Sequence, residues 1–379
     1  MKSLVIERTD LEKLFSTLVG RGYRLIGPTL REAAIVYGEI KTVNDLPIGW
    51  TDGQAAGQYR LQRRGDAALF GYNLGPHSWK KENLPPSLRL FSAERRDQSF
   101  VIIEEPADEL PMAFIGARSC ELHAISIQDR VLMQGPFVDP TYARRRNQTL
   151  VIAVNCGQAG GTCFCVSMKS GPQATQGFDI ALTEVLDGHR HYFLTEVGTT
   201  RGAEILNDVP HRAARDVEKA AAQRIVDRTA ATMGRKLYTG GLKEFLYSAY
   251  ENPHWDDVAA RCLSCANCTM VCPTCFCTTV EDVTDLSGAH AERWQKWDSC
   301  FTADFSYIHG GSVRSSTKSR YRQWLTHKLA TWMDQFSTPG CVGCGRCITW
   351  CPTGIDITQE VVSLRERQPG RKEQSDGEP

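Results

Sequence analysis

CLSCANCTMVCP (Cys262–Pro273) and CVGCGRCITWCP (Cys341–Pro352) decide how this chain is read. Both follow Cys-x2-Cys-x2-Cys-x3-Cys-Pro, the spacing that wraps a [4Fe–4S] cubane. A cubane needs a thiolate on each iron, and two-residue gaps carry successive sulfurs around one corner of the cage. The last cysteine, set three residues further on and followed by proline, turns away from its own loop. In two-cluster proteins it reaches the other cage. The expected sets are therefore Cys262, Cys265 and Cys268 with Cys351, and Cys341, Cys344 and Cys347 with Cys272. Structural zinc competes for Cys-x2-Cys pairs. A zinc ribbon needs only two such pairs, with no use for a third cysteine in step plus Cys-Pro, so the repeated spacing favours iron–sulfur.

The chain has 379 residues, enough for two or three domains of ordinary core size. Its 44 acidic and 44 basic residues balance, so no global field argues for nucleic acid or an anionic membrane as partner. The opening MKSLVIERTD lacks a long apolar segment, and no run approaches the ~20 apolar residues of a membrane span. With 15 cysteines and no export signal, the expectation is metal in a reducing cytoplasm rather than disulfides.

Before the cysteine runs the pattern is that of an α/β unit. Thr9 and Glu12 read as a capping box, with Leu11, Leu14, Phe15 and Leu18 on one helical face. Ala34–Ile40 and Ala68–Tyr72 read as strands with loop between, around Pro47, Gly49, Trp50 and Gly53. LGPHSWKKENLPP (Leu74–Pro86) reads as surface loop, including His77, Trp79 and Lys80. VIIEE from Val101 and Met112–Gly116 are short apolar strands. A helical stretch with Leu122, Ile125 and Leu132 in step follows, then the apolar strand Thr149–Cys156. Strand, helix, strand makes a βαβ unit with both strand ends on one edge.

Ligands of open α/β sheets sit at that carboxyl edge. Cys120 and Cys156 fall there, and Cys163 and Cys165 follow in GQAGGTCFC, where Gly160 and Gly161 admit a bulky group. These four are a candidate third cluster site; buried, unliganded thiols are the alternative. His123 is expected at the helix surface or core edge rather than as a ligand. Phe178–Leu186 and His189–Glu196 form a hairpin about Asp187-Gly188. His211–Lys236 and Leu242–Tyr250 are helical, and Asn252-Pro253 opens a third helix that delivers the chain to Cys262.

The spacer Pro273–Gly340 is too long for a small β-type ferredoxin and is expected to be partly helical. Tyr321, Trp324, Leu325, Lys328, Leu329, Trp332 and Phe336 mark a helix packed on a core, the stem of Lys328 lying along the stripe. Arg314, Lys318, Arg320 and Arg322 are either a solvated face or charge that raises a cluster potential or steers an acidic partner. Cys275, Cys277 and Cys300 have no base placed beside them by sequence and read as bystander thiols.

Clusters move electrons and leave bond chemistry to other groups. The chain has no Gly-x-Gly-x-x-Gly after a strand, no Walker A run and no His-Glu-x-x-His. It also lacks the cysteine spacings that hold nickel–iron or sirohaem centres. It reads as an electron-transfer subunit with no catalytic residues of its own.

GARSCELHAISIQD, VNCGQAGGTCFCVSMKSGP, CPTCFCTTVEDV, WDSCFTADFSYIHGG and CVGCGRCITWCPTGIDI together resemble the 4Fe–4S dicluster β subunit of cytoplasmic NAD(P)-linked nickel–iron hydrogenases, the sulfhydrogenase type. The electron-transfer subunit of anaerobic sulfite reductase is its close relative. The resemblance implies two [4Fe–4S] clusters and electron relay between a flavin subunit that meets NAD(P)H and the small and large [NiFe] hydrogenase subunits. The equivalent role in a sulfite reductase, or an iron–sulfur redox sensor or scaffold, is the alternative.

The expected fold class is α/β + α. An N-terminal α/β domain with a partly parallel sheet and the candidate third site spans 1–210, and a helical connector spans 211–258. An α-helical ferredoxin-like domain carrying two clusters follows over 259–361, then a disordered tail over 362–379.

Overall fold

The computed structural model describes residues 3–73, 75–104, 110–188 and 190–368. Its centre is an eight-stranded sheet in the order Arg212–Ala213, Ser3–Glu7, Arg190–Val197, Ile180–Asp187, Leu150–Val154, Met112–Ala117, Arg24–Arg31, Ala34–Ile40. The middle of the sheet is parallel and the flanks are antiparallel. Met112–Ala117 and Leu150–Val154 are buried at every position. Continuous apolar runs behave so when both faces of a parallel sheet are covered. Helix Ser119–Leu132 joins the two as the expected βαβ unit, and Pro140–Gln148, capped by Asp139, precedes the second strand.

Several segments differ from expectation for local reasons. Trp50–Ala55 and Gln58–Arg63 pair as a hairpin where loop was expected, turning on Gly57 at φ 69°. Ala68–Tyr72 is not a strand, because side chains satisfy its backbone. The Leu69 and Phe70 N–H groups donate to the Glu184 carboxylate at 2.7 and 2.9 Å, and Arg118 donates to the Phe70 and Tyr72 carbonyls. Trp79 and Lys80, expected on a surface loop, are buried. Trp79 stacks between Tyr37 and Phe114 with centroids 4.0 and 4.4 Å away, and the Lys80 ammonium lies 3.7 Å from the Trp297 ring centre.

The spacer between the cysteine runs is helical in its second half only. Thr278–Thr284 and His290–Trp297 form a hairpin whose β-branched Thr and Val residues favour strand. It extends the hairpin Ser87–Arg96/Ser99–Glu104 into a four-stranded antiparallel sheet, tying the spacer to the N-terminal half. Then Thr317–Thr326, a π-helical turn at His327–Thr331 and Trp332–Phe336 make one helical rod. The expected stripe is core: Tyr321, Trp324, Leu325 and Leu329 pack with Trp255, Phe301 and Ile348. Helix Ile357–Glu366 carries the chain beyond 362, where the tail was expected to begin; residues 369–379 lie outside the described residues. Leu364 on this helix is fully buried, so packing holds the segment in place.

Candidate iron–sulfur centres

The two cysteine runs fold alike. In the first, Ser264 and Ala266 adopt left-handed backbone at φ 52° and 63°; in the second, Gly343 and Gly345 do so at 63° and 75°. Each run then enters a short helix, Asn267–Met270 or Arg346–Thr349. Left-handed turns at alternate positions coil the loop so that its sulfurs face one centre. The backbone N–H of Ser264 donates to Cys262 Sγ at 3.4 Å, and that of Gly343 to Cys341 Sγ at 3.4 Å. Glycine in the second run has a further cause. A Cβ on Gly343 would come within 2.6 Å of the Phe164 backbone, and one on Gly345 within 2.5 Å of the Thr162 carbonyl. The first run carries Ser and Ala at these positions, at about 1–2 kcal/mol each of left-handed strain.

Each run wraps a cavity, completed by the last cysteine of the other. Cys262, Cys265, Cys268 and Cys351 line the first, walled by Phe301, Tyr321, Trp324 and Ile355. Cys341, Cys344, Cys347 and Cys272 line the second, with Phe164, Val342, Ile357 and Lys328. Cys347 borders both, so the cavities share a wall. Among the described residues no three His, Cys, Asp or Glu side chains close on a point the size of one metal ion. The sulfurs instead ring apolar space, a donor set that fits a cubane.

Burial governs the free thiols. It pushes Cys341 up to about 12 and holds Cys268 and Cys347 well above the ordinary thiol range. Loading a cluster must therefore displace protons, since thiolates are the ligands. Cys272 runs the other way. A hydrogen bond from Cys275 and the Lys328 ammonium, 3.1 Å from its Sγ, hold it well below that range despite burial.

The candidate third set also gathers. Cys120 sits in the first turn of Ser119–Leu132, and Cys156 just past Leu150–Val154. Cys163 and Cys165 come from the adjoining loop. Burial raises all four, and neighbouring sulfurs add to it: Cys165 on Cys120, Cys163 on Cys165, Cys156 on both Cys163 and Cys165. Arg118 bears on Cys156 in the opposite sense. Cys163 Sγ lies 3.8 Å from the Cys344 carbonyl, so this set adjoins the second cavity. The bystander thiols are nearby too: Cys275 hydrogen-bonds Cys272, and Cys300 adjoins Cys268 and Cys277. His123 is half-buried and stands apart from these sets, its pKa lowered by burial.

Two residues take roles that the sequence does not show: Lys328, expected only as part of the core stripe, and Arg346. Arg346 lies within the second run, 1% exposed, and pairs with Glu121 at 2.6 Å. Its arginine type offered no signal beyond its position between Gly345 and Cys347. Lys328 carried one: a charged residue standing in an aromatic stripe.

Residues 261–355 match the family model described as a 4Fe-4S dicluster domain. Sulfhydrogenase 2 subunit beta of Pyrococcus furiosus is 32% identical over 295 residues, covering 75% of this chain and 83% of that protein. A chain of the F420-reducing [NiFe] hydrogenase complex from Methanosarcina barkeri overlaps 65% of this chain and 93% of its own at 12% identity and a TM-score of 0.33, too low to bear on the fold.

Proposed function

The chain belongs to the sulfhydrogenase β-subunit family, and on that premise we propose that it relays electrons between a flavin subunit that meets NAD(P)H and the small and large subunits of a [NiFe] hydrogenase. At the coarser level it is an iron–sulfur electron-transfer subunit of a hydrogenase-type complex. We assign one [4Fe–4S] cluster to Cys262, Cys265, Cys268 and Cys351, a second to Cys341, Cys344, Cys347 and Cys272, and a third to Cys120, Cys156, Cys163 and Cys165. The observation that carries the first two is the exchange of last cysteines between the cavities.

When bound, such clusters supply one-electron transfer. The chain's own residues hold and insulate them. Phe301, Tyr321 and Trp324 wall the inner side of the first cavity, and the Ser264 and Gly343 N–H groups meet thiolate charge. The Cys341 set adjoins both others, sharing Cys347 with the first cavity and meeting Cys163 at the Cys344 carbonyl. The functional division is 1–210 for the third site, 211–258 as connector and 259–361 as an α-helical ferredoxin-like dicluster domain, stitched to the first by the shared sheet. No helix among the described residues is long and apolar enough to cross a membrane; the proposed setting is a cytoplasmic complex.

Purification of the native complex under anaerobic conditions tests this reading. Nickel, flavin and hydrogen-dependent NAD(P) reduction in the fraction holding this chain are the expected outcome. Sirohaem in place of nickel would reassign the chain to a sulfite reductase, and a colourless, iron-poor chain would overturn the iron–sulfur role.

A further inference from the structure

The Lys328 side chain is 5% exposed, on the π-helical turn His327–Thr331. Its ammonium reaches Cys272 Sγ and Thr274 Oγ1 at 3.1 Å each and the Gly340 carbonyl at 3.4 Å. Among the described residues no carboxylate lies within ion-pair distance of it. Lys80 repeats the pattern nearby: it is 4% exposed, and its ammonium rests on the Trp297 ring and the Met270 carbonyl. A buried ammonium without a counter-charge is costly and ordinarily loses its proton or gains a partner. Arg346, a further buried cation beside this set, bears on Cys344 but is paired with Glu121. Lys328 thus has no carboxylate partner, and the negative group it meets is Cys272 Sγ, a sulfur of the Cys341 set.

We propose that Lys328 is the built-in counter-ion of the cluster held by Cys272, Cys341, Cys344 and Cys347, and that it makes this cluster the higher in potential of the two in the dicluster domain. The inference rests on the assignment of clusters above. Positive charge beside a ligand sulfur favours the reduced, more negative form. With the clusters bound, Lys328 would face the added negative charge of the reduced form, with no bond made and no proton moved. In the first cavity Arg320 bears on Cys262 and Lys328 on Cys268; Arg320 is half-exposed and donates to the Phe301 carbonyl, so solvent screens it, and Lys328 gives its hydrogen bond to Cys272 of the other set. Lys328 is a positioning residue in this account.

The test is an EPR-monitored redox titration of the full chain with its clusters, in wild type, Lys328→Met and Lys328→Arg, alongside iron and labile-sulfide counts. The expected result is that Lys328→Met lowers the higher midpoint potential of the dicluster pair more than the other, while Lys328→Arg restores it. Selective loss of one cluster in Lys328→Met, with retention in Lys328→Arg, supports the same charge pairing. Intact clusters with unmoved midpoints in Lys328→Met, or equal loss in both variants, overturns it. Wild-type chain without cubane signals would instead overturn the cluster assignment itself.

Discussion

Arg346 and Glu121 form an ion pair at 2.6 Å, each side chain 1% exposed, which fastens the second cysteine run to the first turn of helix Ser119–Leu132. Glu121 also accepts from Tyr37 Oη at 2.7 Å, Trp79 Nε1 at 3.0 Å and the Arg118 N–H at 3.1 Å. Arg346 donates further to the Gly75 and His77 carbonyls. The pair holds the second cavity against the sheet edge where Cys120 and Cys156 lie. Removing one partner strands the other's charge in the interior. We expect Arg346→Met to cost about 3–5 kcal/mol of stability, with the double variant Arg346→Met/Glu121→Gln recovering part of it. Anaerobic denaturant titrations followed by cluster absorbance check this.

Exchange of last cysteines gives a result that chain order does not. Cys351→Ser should remove the cluster of Cys262, Cys265 and Cys268, about 4 irons, although Cys351 is sequential to Cys347. Iron analysis with EPR reads it out. The surviving signal should be the one that shifts more in Lys328→Met; survival of the other signal refutes the pairing.

The third set makes a counting prediction. Wild-type chain should hold about 12 irons, and Cys163→Ser about 8, with both signals of the dicluster domain unchanged. A wild-type count of about 8 leaves Cys120, Cys156, Cys163 and Cys165 as packed thiols.

His327 makes stability depend on pH. Burial, helped by Lys328 beside it, lowers its pKa from the ordinary 6.5 to about 4. The folded chain keeps the ring neutral while the unfolded chain takes up a proton, so stability falls as pH drops from about 6.5 to about 4 and then levels. His327→Gln should flatten that part of the profile. Thermal unfolding rates of the two proteins at pH values of about 7.5 and about 5.5 provide the comparison, the difference between them cancelling acid damage common to both.

The parallel centre of the sheet was legible because Met112–Gly116 and Leu150–Val154 are apolar without interruption, a pattern that local chain alone displays. The hairpin Thr278–Trp297 was not, since half of its pairing partners lie at Ser87–Arg96. Trp79 sits in a loop whose composition is polar; Tyr37 and Phe114, from other strands, make it core. Ala68–Tyr72 has strand composition, yet Glu184 and Arg118 take up the backbone groups that a sheet would have used.

What the amino-acid order determined by itself was the kind of chemistry. Thiolate spacing within a loop of a dozen residues is a short-range property, and it dictates what size of inorganic group the loop can wrap. Only the tertiary structure decided the electrical surroundings. An ammonium contributed by a distant helix comes to rest on Cys272 without a carboxylate, whereas a guanidinium inside the run is cancelled by Glu121. Charge acts through space in a low-dielectric interior, and distance through space is not written along the chain.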